Sequence, residues 1–195
     1  TFENDQRIAG NNDQFFSPIT TNMNRTWLNL TNNQGAFNQI LVGFSDQATD
    51  DEDRMLDGEK LKGNSQLAFY SKLNAKDYGI QAVKKPTATK GKVIELGVDA
   101  LVTGEFTISL DSLDNWPNDY SLILVDVKEN TEIDLLADSS YTFEVTQAGT
   151  IAQRFYLNIE RIVEENNGSN DDDPFTNPST SVDDLQADLE NIKIY

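Results

Sequence analysis

Apolar residues return at every second position through most of residues 104–159. Phe106, Ile108 and Leu110 alternate with Glu105, Thr107 and Ser109. Tyr141, Phe143 and Val145 alternate with Thr142, Glu144 and Thr146. Phe155, Leu157 and Ile159 alternate with Tyr156, Asn158 and Glu160. A strand turns successive side chains to opposite faces, so each run carries one apolar face and one polar face, a pattern no helix can use. Residues 121–127 (SLILVDV) are apolar at nearly every position, which predicts a strand buried on both sides. Runs of this kind separated by turn signals predict an all-β protein, an antiparallel β-sandwich of immunoglobulin-like or jelly-roll-like type.

The upstream half continues the pattern. Residues 25–31 (RTWLNLT) place Leu28 and Leu30 on one face, and residues 36–44 (AFNQILVGF) place Ile40, Val42 and Phe44 in phase. Asn32-Asn33-Gln34-Gly35 between them supplies residues that adopt positive φ at little cost, so the two runs predict a hairpin. Further strands are expected at 66–71, 78–83 and 92–96. Residues 84–92 hold Lys84, Lys85, Lys90 and Lys92, and predict an exposed hairpin tip. Residues 46–63 break the alternation. Thr49 with Glu52 three positions on fits a capping box, Asp50 and Asp51 suit a helix N-terminus, and Asp57-Gly58 suits its end, so a short helix is expected here.

Charge and composition narrow the function. Asp and Glu number 33 against 15 Lys and Arg, a net charge of -18. That field repels a phosphate backbone and argues against nucleic acid as a partner. No run approaches the ~20 apolar residues of a membrane helix, so no membrane span is expected. The chain has no Cys and no His, which removes disulfides, zinc thiolate sites, cysteine nucleophiles and the His base of a serine triad. No catalytic, metal or cofactor-binding residue is assigned, and no enzyme activity is expected.

The domain pattern follows. Residues 1–24 show little alternation and read as the end of an upstream β region, with Phe2, Ile8, Phe15 and Phe16 as anchors. Residues 25–162 form the β-sandwich. From 163 to 190 the composition turns acidic, with Glu164, Glu165, Asp171, Asp172, Asp173, Asp183, Asp184, Asp188 and Glu190, no base, and Pro174 and Pro178. Such a stretch buries too little to offset its chain entropy and is expected to be an extended, disordered linker. Residues 191–195 (NIKIY) alternate again and read as one more strand.

Three constellations could carry chemistry. Asp46, Asp50, Asp51, Asp53, Asp57 and Glu59 are the densest acid group before the linker. Calcium takes six to eight oxygens, often from closely spaced acids. The spacing here is not that of an EF-hand loop, and a capped helix with a solvated face is the favoured reading over calcium. Trp27, Trp116 and the tyrosines could stack on sugar rings, or could be ordinary core and edge residues. Asn24, Asn29 and Asn167 begin N-glycosylation triplets, and Asp111-Ser112-Leu113 resembles the O-glycosylation motif of Bacteroidota.

Residues 188–195 (DLENIKIY) resemble the opening of the type A C-terminal sorting domain of type IX secretion cargo proteins in Bacteroidota. The acidic stretch before them is similar to the spacer that precedes such domains. The runs WLNLTNNQGAFNQILVGF, ATDDEDRMLDGEKLKGN, IELGVDALVTGEFTISL and YTFEVTQAGTIAQRFYLNI are similar to a β-sandwich region found upstream of that domain in secreted flavobacterial surface proteins. Residues 1–16 resemble the segment preceding that region, with its TFxN…RxAGNNxQFF pattern. Leu56 stands where the family often has an aromatic residue before Asp-Gly, and of the sorting domain only residues 191–195, its first strand, are present. The resemblance implies an adhesin-like, non-catalytic module at the cell surface or outside the cell, linking cargo to its sorting signal. Its implied partners are the type IX translocon and an outer-membrane shuttle protein. The alternative is a carbohydrate-binding module of a secreted polysaccharide-degrading enzyme, with glycans as partners.

Overall fold

A computed structural model of the chain describes residues 22–61 and 63–163. The expectations for residues 1–21, for the acidic linker from 164 onward and for the strand at 191–195 lie outside the described residues. The strands in chain order are β1 (Asn24–Asn32), β2 (Phe37–Ser45), β3 (Gly58–Glu59), β4 (Leu67–Leu73), β5 (Lys76–Lys84), β6 (Lys92–Ala100), β7 (Gly104–Asp114), β8 (Ile123–Asp126), β9 (Thr131–Asp134), β10 (Ser140–Val145) and β11 (Gly149–Ile159). The protein is all-β, as the alternation predicts.

The sheet differs from a sandwich in two respects. All strands belong to one sheet of order β10-β7-β1-β2-β5-β4-β6-β11-β8-β9, with β3 added on β5. It curls until β10 packs against strands near the other end: Phe143 of β10 packs on Phe155 of β11 with ring centroids 4.6 Å apart, and the Tyr141 hydroxyl of β10 donates to Asp126 of β8 at 2.9 Å. The result is nearly a barrel. Inward and outward residues alternate along a barrel strand just as along a sandwich strand, so periodicity alone does not separate the two. The sheet is also mixed, because β2 and β5 run parallel, Leu41 opposite Ile80 and Phe44 opposite Val83. A parallel pair needs a crossover connection rather than a hairpin, and residues 46–75 provide it.

The β1–β2 hairpin forms as expected, with Trp27 opposite Leu41 and Thr31 opposite Phe37. Asn32 holds its turn: the side-chain oxygen accepts from the backbone N–H groups of Gln34 at 3.1 Å and Ala36 at 2.9 Å. Gly35 takes φ +82, a value that favours glycine. The inner face gathers Leu28, Leu30, Ile40, Val42, Phe44, Phe69, Leu96, Val98, Phe106, Ile108, Phe155 and Leu157 in one buried core.

Three local expectations change. Residues 49–57 form turns, not a helix, for reasons given below. The lysine-rich loop 84–92 is exposed at Lys84 and Lys90 and carries a tight hairpin turn, Thr87 and Lys90 exchanging backbone bonds at 3.0 and 3.3 Å, but it does not join two paired strands, because β4 lies between β5 and β6. Strand β8 is not buried on both sides. Leu122, Leu124 and Asp126 point inward, Ile123 and Val125 are half-buried, and Val127 is 52% exposed; among the described residues the sheet continues past β8 only into the short edge strand β9.

One close approach in the sheet is testable. Gly97 of β6 lies directly opposite Tyr70 of β4, and the Tyr70 ring covers it while its hydroxyl donates to Asp99 at 3.0 Å. A Cβ at position 97 would lie 2.1 Å from Tyr70 Cε2. Gly97→Ala is therefore expected to cost about 1–3 kcal/mol, as overpacking does, read as a lower urea midpoint at unchanged m-value.

Candidate functional site

The acid-rich segment 46–60 crosses the outside of β2 and β5, where Met23, Ala48, Leu56 and Ala82 form a second small apolar cluster. Its carboxylates bind backbone and lysine. Asp53 accepts the Thr49 N–H at 2.6 Å, and Asp57 accepts the N–H groups of Asp53 and Ala82, both at 2.7 Å. These side chains take N–H groups that a helix would need, which is how Asp competes with helical geometry. Burial pushes the Asp57 carboxyl up, against those two backbone bonds. Asp50 binds Lys92 through both oxygens at 2.6 Å, and that bond holds its carboxyl below the usual range. Glu52 and Glu59 share Lys76 at 3.0 and 2.8 Å. Among the described residues no three Asp or Glu side chains gather where one metal ion could bind them.

The two tryptophans are not brought together. Trp116 packs edge-on against Phe44 at 5.2 Å and donates its indole N–H to the Tyr120 carbonyl at 3.3 Å, so it closes the margin of the core. Tyr70, Tyr78 and Tyr120 are buried, and Tyr141 and Tyr156 half-buried. Trp27 stands on the opposite face of β1 from Leu28 and Leu30 and is half-buried. Ladder register puts it in line with Leu41 of β2 and Ile80 of β5, an apolar row on the outside of the sheet. Beside it runs a polar row. Asn29 donates to Asp111 at 3.0 Å, and Gln39 donates to Asn29 at 2.9 Å. Asp111 reaches this row because the β1–β7 register jumps from Trp27 opposite Ser112 to Leu28 opposite Leu110, a β-bulge.

Of the glycosylation triplets, the one at Asn29 falls on this outer face, whereas Asn24 is in phase with the buried Thr26 and Leu28. Asn24 and Asn29 lie in β1 with engaged side chains, Asn24 donating to the Asn115 carbonyl. Ser112 is exposed and donates to Asp111 at 3.1 Å. Asn167 lies outside the described residues.

The most tightly built polar group was not foreseen. In β11 the register slips between Ile151, opposite Val98, and Phe155, opposite Leu96. The extra residues form a bulge in which Gln153 takes φ 55, and the bulge turns Arg154 inward. Arg154 is 8% exposed and Asp126 is fully buried. Arg154 Nε donates to both Asp126 oxygens at 2.9 and 3.1 Å, and Nη2 donates to Oδ2 at 2.7 Å. The guanidinium lies over the rings of Phe143 and Phe155, 5.0 and 4.8 Å from their centroids. Asp126 also accepts the N–H of Lys128 at 3.0 Å. Burial pushes its carboxyl up, but the bonds from Arg154 and Tyr141 and the charge of Arg154 outweigh it and hold the group below the usual range. Burial, then the bond to Asp126, pushes the Tyr141 hydroxyl up. A cleft of about 410 Å³ runs beside the pair, between Tyr141, Thr142, Phe143, Glu144 and Thr146 on one wall and Lys128, Glu129 and Arg154 on the other. A signal was present in the sequence: Asp126 is the single charge within residues 121–127 and falls in phase with Leu122 and Leu124.

Fold and site together define an all-β module: one curled sheet, acids bound into its loops, and a closed ion pair where β10 meets β8 and β11. Residues 1–159 match the family described as Domain of unknown function (DUF8693), and the chain belongs to that family. No curated protein and no solved structure matches the chain.

Proposed function

We propose that the chain is a non-catalytic, adhesin-like module of an exported protein, carried across the outer membrane by type IX secretion and standing between cargo and sorting signal. The observation that carries the non-catalytic part is the engagement of the acids. Without His or Cys, a general base would come from Asp, Glu, Lys or Tyr, and a Ser or Thr nucleophile would need one of these groups to activate it. In segment 46–60, Asp53 and Asp57 accept backbone N–H groups, and Asp50, Glu52 and Glu59 pair with lysines. Asp126 is buried behind Arg154. None of these groups is placed as an acid–base pair facing an open site. The export part rests on the resemblance of residues 188–195 and of the spacer before them. Deleting residues 191–195 from the full-length protein should trap the cargo in the periplasm, followed by fractionation of cells and medium. Unchanged secretion of that variant overturns the export part.

A second reading, a carbohydrate-binding module, is favoured by the outer face of β1. There an indole lies in line with Leu41 and beside a row of amide and carboxylate groups, which suits the C–H face and the hydroxyl edge of a sugar. On a glycan array this reading expects at least one glycan to be retained by the wild type and lost by Trp27→Ala, with Trp116→Ala compared only after its folding is checked. An array with no glycan retained overturns it.

A further inference from the structure

Among the described residues the sheet stops at β10, and it stops inside a cleft. Among the described residues β10 pairs with β7 alone. The direction of its free backbone groups follows from the ladder. Leu110 N–H donates to the Ser139 carbonyl at 2.7 Å, and the register continues with Tyr141 opposite Ile108 and Phe143 opposite Phe106. Antiparallel pairs bond alternately, so Tyr141, Phe143 and Val145 bond to β7. The N–H and C=O groups of Thr142 and Glu144 point the other way, and both residues line the 410 Å³ cleft. Underneath, the seam is sealed by Phe143 against Phe155 and by Tyr141 on Asp126. Above that seal the edge is open.

We propose that this edge accepts an extended peptide strand from a partner protein, with a lysine or arginine on the peptide's outer face beside Glu144. Backbone bonds to Thr142 and Glu144 would hold the strand, as in β-augmentation. The charge preference comes from a like-charge pair. Glu144 lies directly opposite Glu105, both exposed, and neither takes part in an ion pair among the described residues. Like charges facing each other across a ladder are unfavourable, and a cation on the incoming strand relieves the repulsion. Residues of the peptide alternating with that cation face inward, over Tyr141 and Phe143, and should be apolar. The same charges disfavour a second copy of this chain, because edge-to-edge pairing would set Glu144 against the acidic edge of its twin.

The test uses the full chain and two synthetic probes, Ac-TVKVKVT-NH2 and Ac-TVEVEVT-NH2, followed by amide NMR. The basic peptide is expected to bind at least tenfold more tightly and to slow exchange at the Thr142 and Glu144 amides. Thr142→Pro removes an N–H that β7 does not use, and should abolish binding. Glu144→Lys, on an exposed side chain, should reverse the preference towards the acidic peptide, and keeps the proposal testable if the proline variant does not fold. Unperturbed β10 amides with either peptide overturn the proposal. So does a preference unchanged in Glu144→Lys, or a dimer that pairs β10 with β10 and excludes the peptide.

Discussion

Arg154→Met is expected to destabilise the protein by about 3–5 kcal/mol, because it leaves the Asp126 carboxylate buried with no cation. Asp126→Leu should cost a similar amount by stranding the guanidinium between Phe143 and Phe155. The double replacement should recover most of the loss, since a buried ion pair exchanged for apolar groups of like volume is often neutral or better. Urea denaturation of the four proteins gives the coupling directly. The pair also sets an acid limb. The Asp126 carboxyl is lowered in the folded protein. Its contribution is therefore complete above the unfolded carboxylate value of about 3.9 and is lost as pH falls through the folded value. The melting temperature of the wild type should drop on acidification below about pH 4, and that of the Arg154→Met/Asp126→Leu variant should drop less. Equal slopes would show that other carboxylates dominate.

Phe155→Ala is expected to cost about 3–5 kcal/mol, the range for truncating a buried aromatic. Phe155 is fully buried, meets Phe143 at 4.6 Å and forms one wall of the guanidinium cage. The loss therefore combines a core cavity with a loosened ion pair, and it should be non-additive with Arg154→Met. Trp27→Ala, on the outer face, should cost much less. A Phe155→Ala protein as stable as Trp27→Ala would contradict the placement of the core between β10 and β11.

Strands with one buried face were legible in the sequence. The inward residues of β1, β2, β7, β10 and β11 are those the alternation marks, and Asn32 to Gly35 make the turn their composition suggests. What failed was non-local or competitive. The parallel pairing of β2 with β5 leaves no trace in either strand, because it is set by where the crossover returns the chain. Thr49 to Glu52 read as a helix start, but Asp53 and Asp57 are close enough to capture the N–H groups that the helix would have used. SLILVDV read as doubly buried, since its apolar residues do not reveal that Ile123 and Val125 lie on a half-buried outer face. At the site, Trp27 and Trp116 read from the sequence as one group, but Trp116 closes the margin of the core while Trp27 stands on the outer face of β1. Asp126 and Arg154 lie 28 positions apart, and they meet only because a bulge adds residues to β11.

The central claim is that among the described residues the sheet ends at β10, which meets β8 and β11 through side chains and not through a ladder. Residue-resolved amide hydrogen exchange on the free protein tests it most directly. Tyr141, Phe143 and Val145 should be protected, because their N–H groups bond to β7, while Thr142 and Glu144 should exchange quickly. Protection of Thr142 and Glu144 equal to that of their neighbours would mean that another strand already occupies the edge, and would contradict both the open seam and the strand-accepting role.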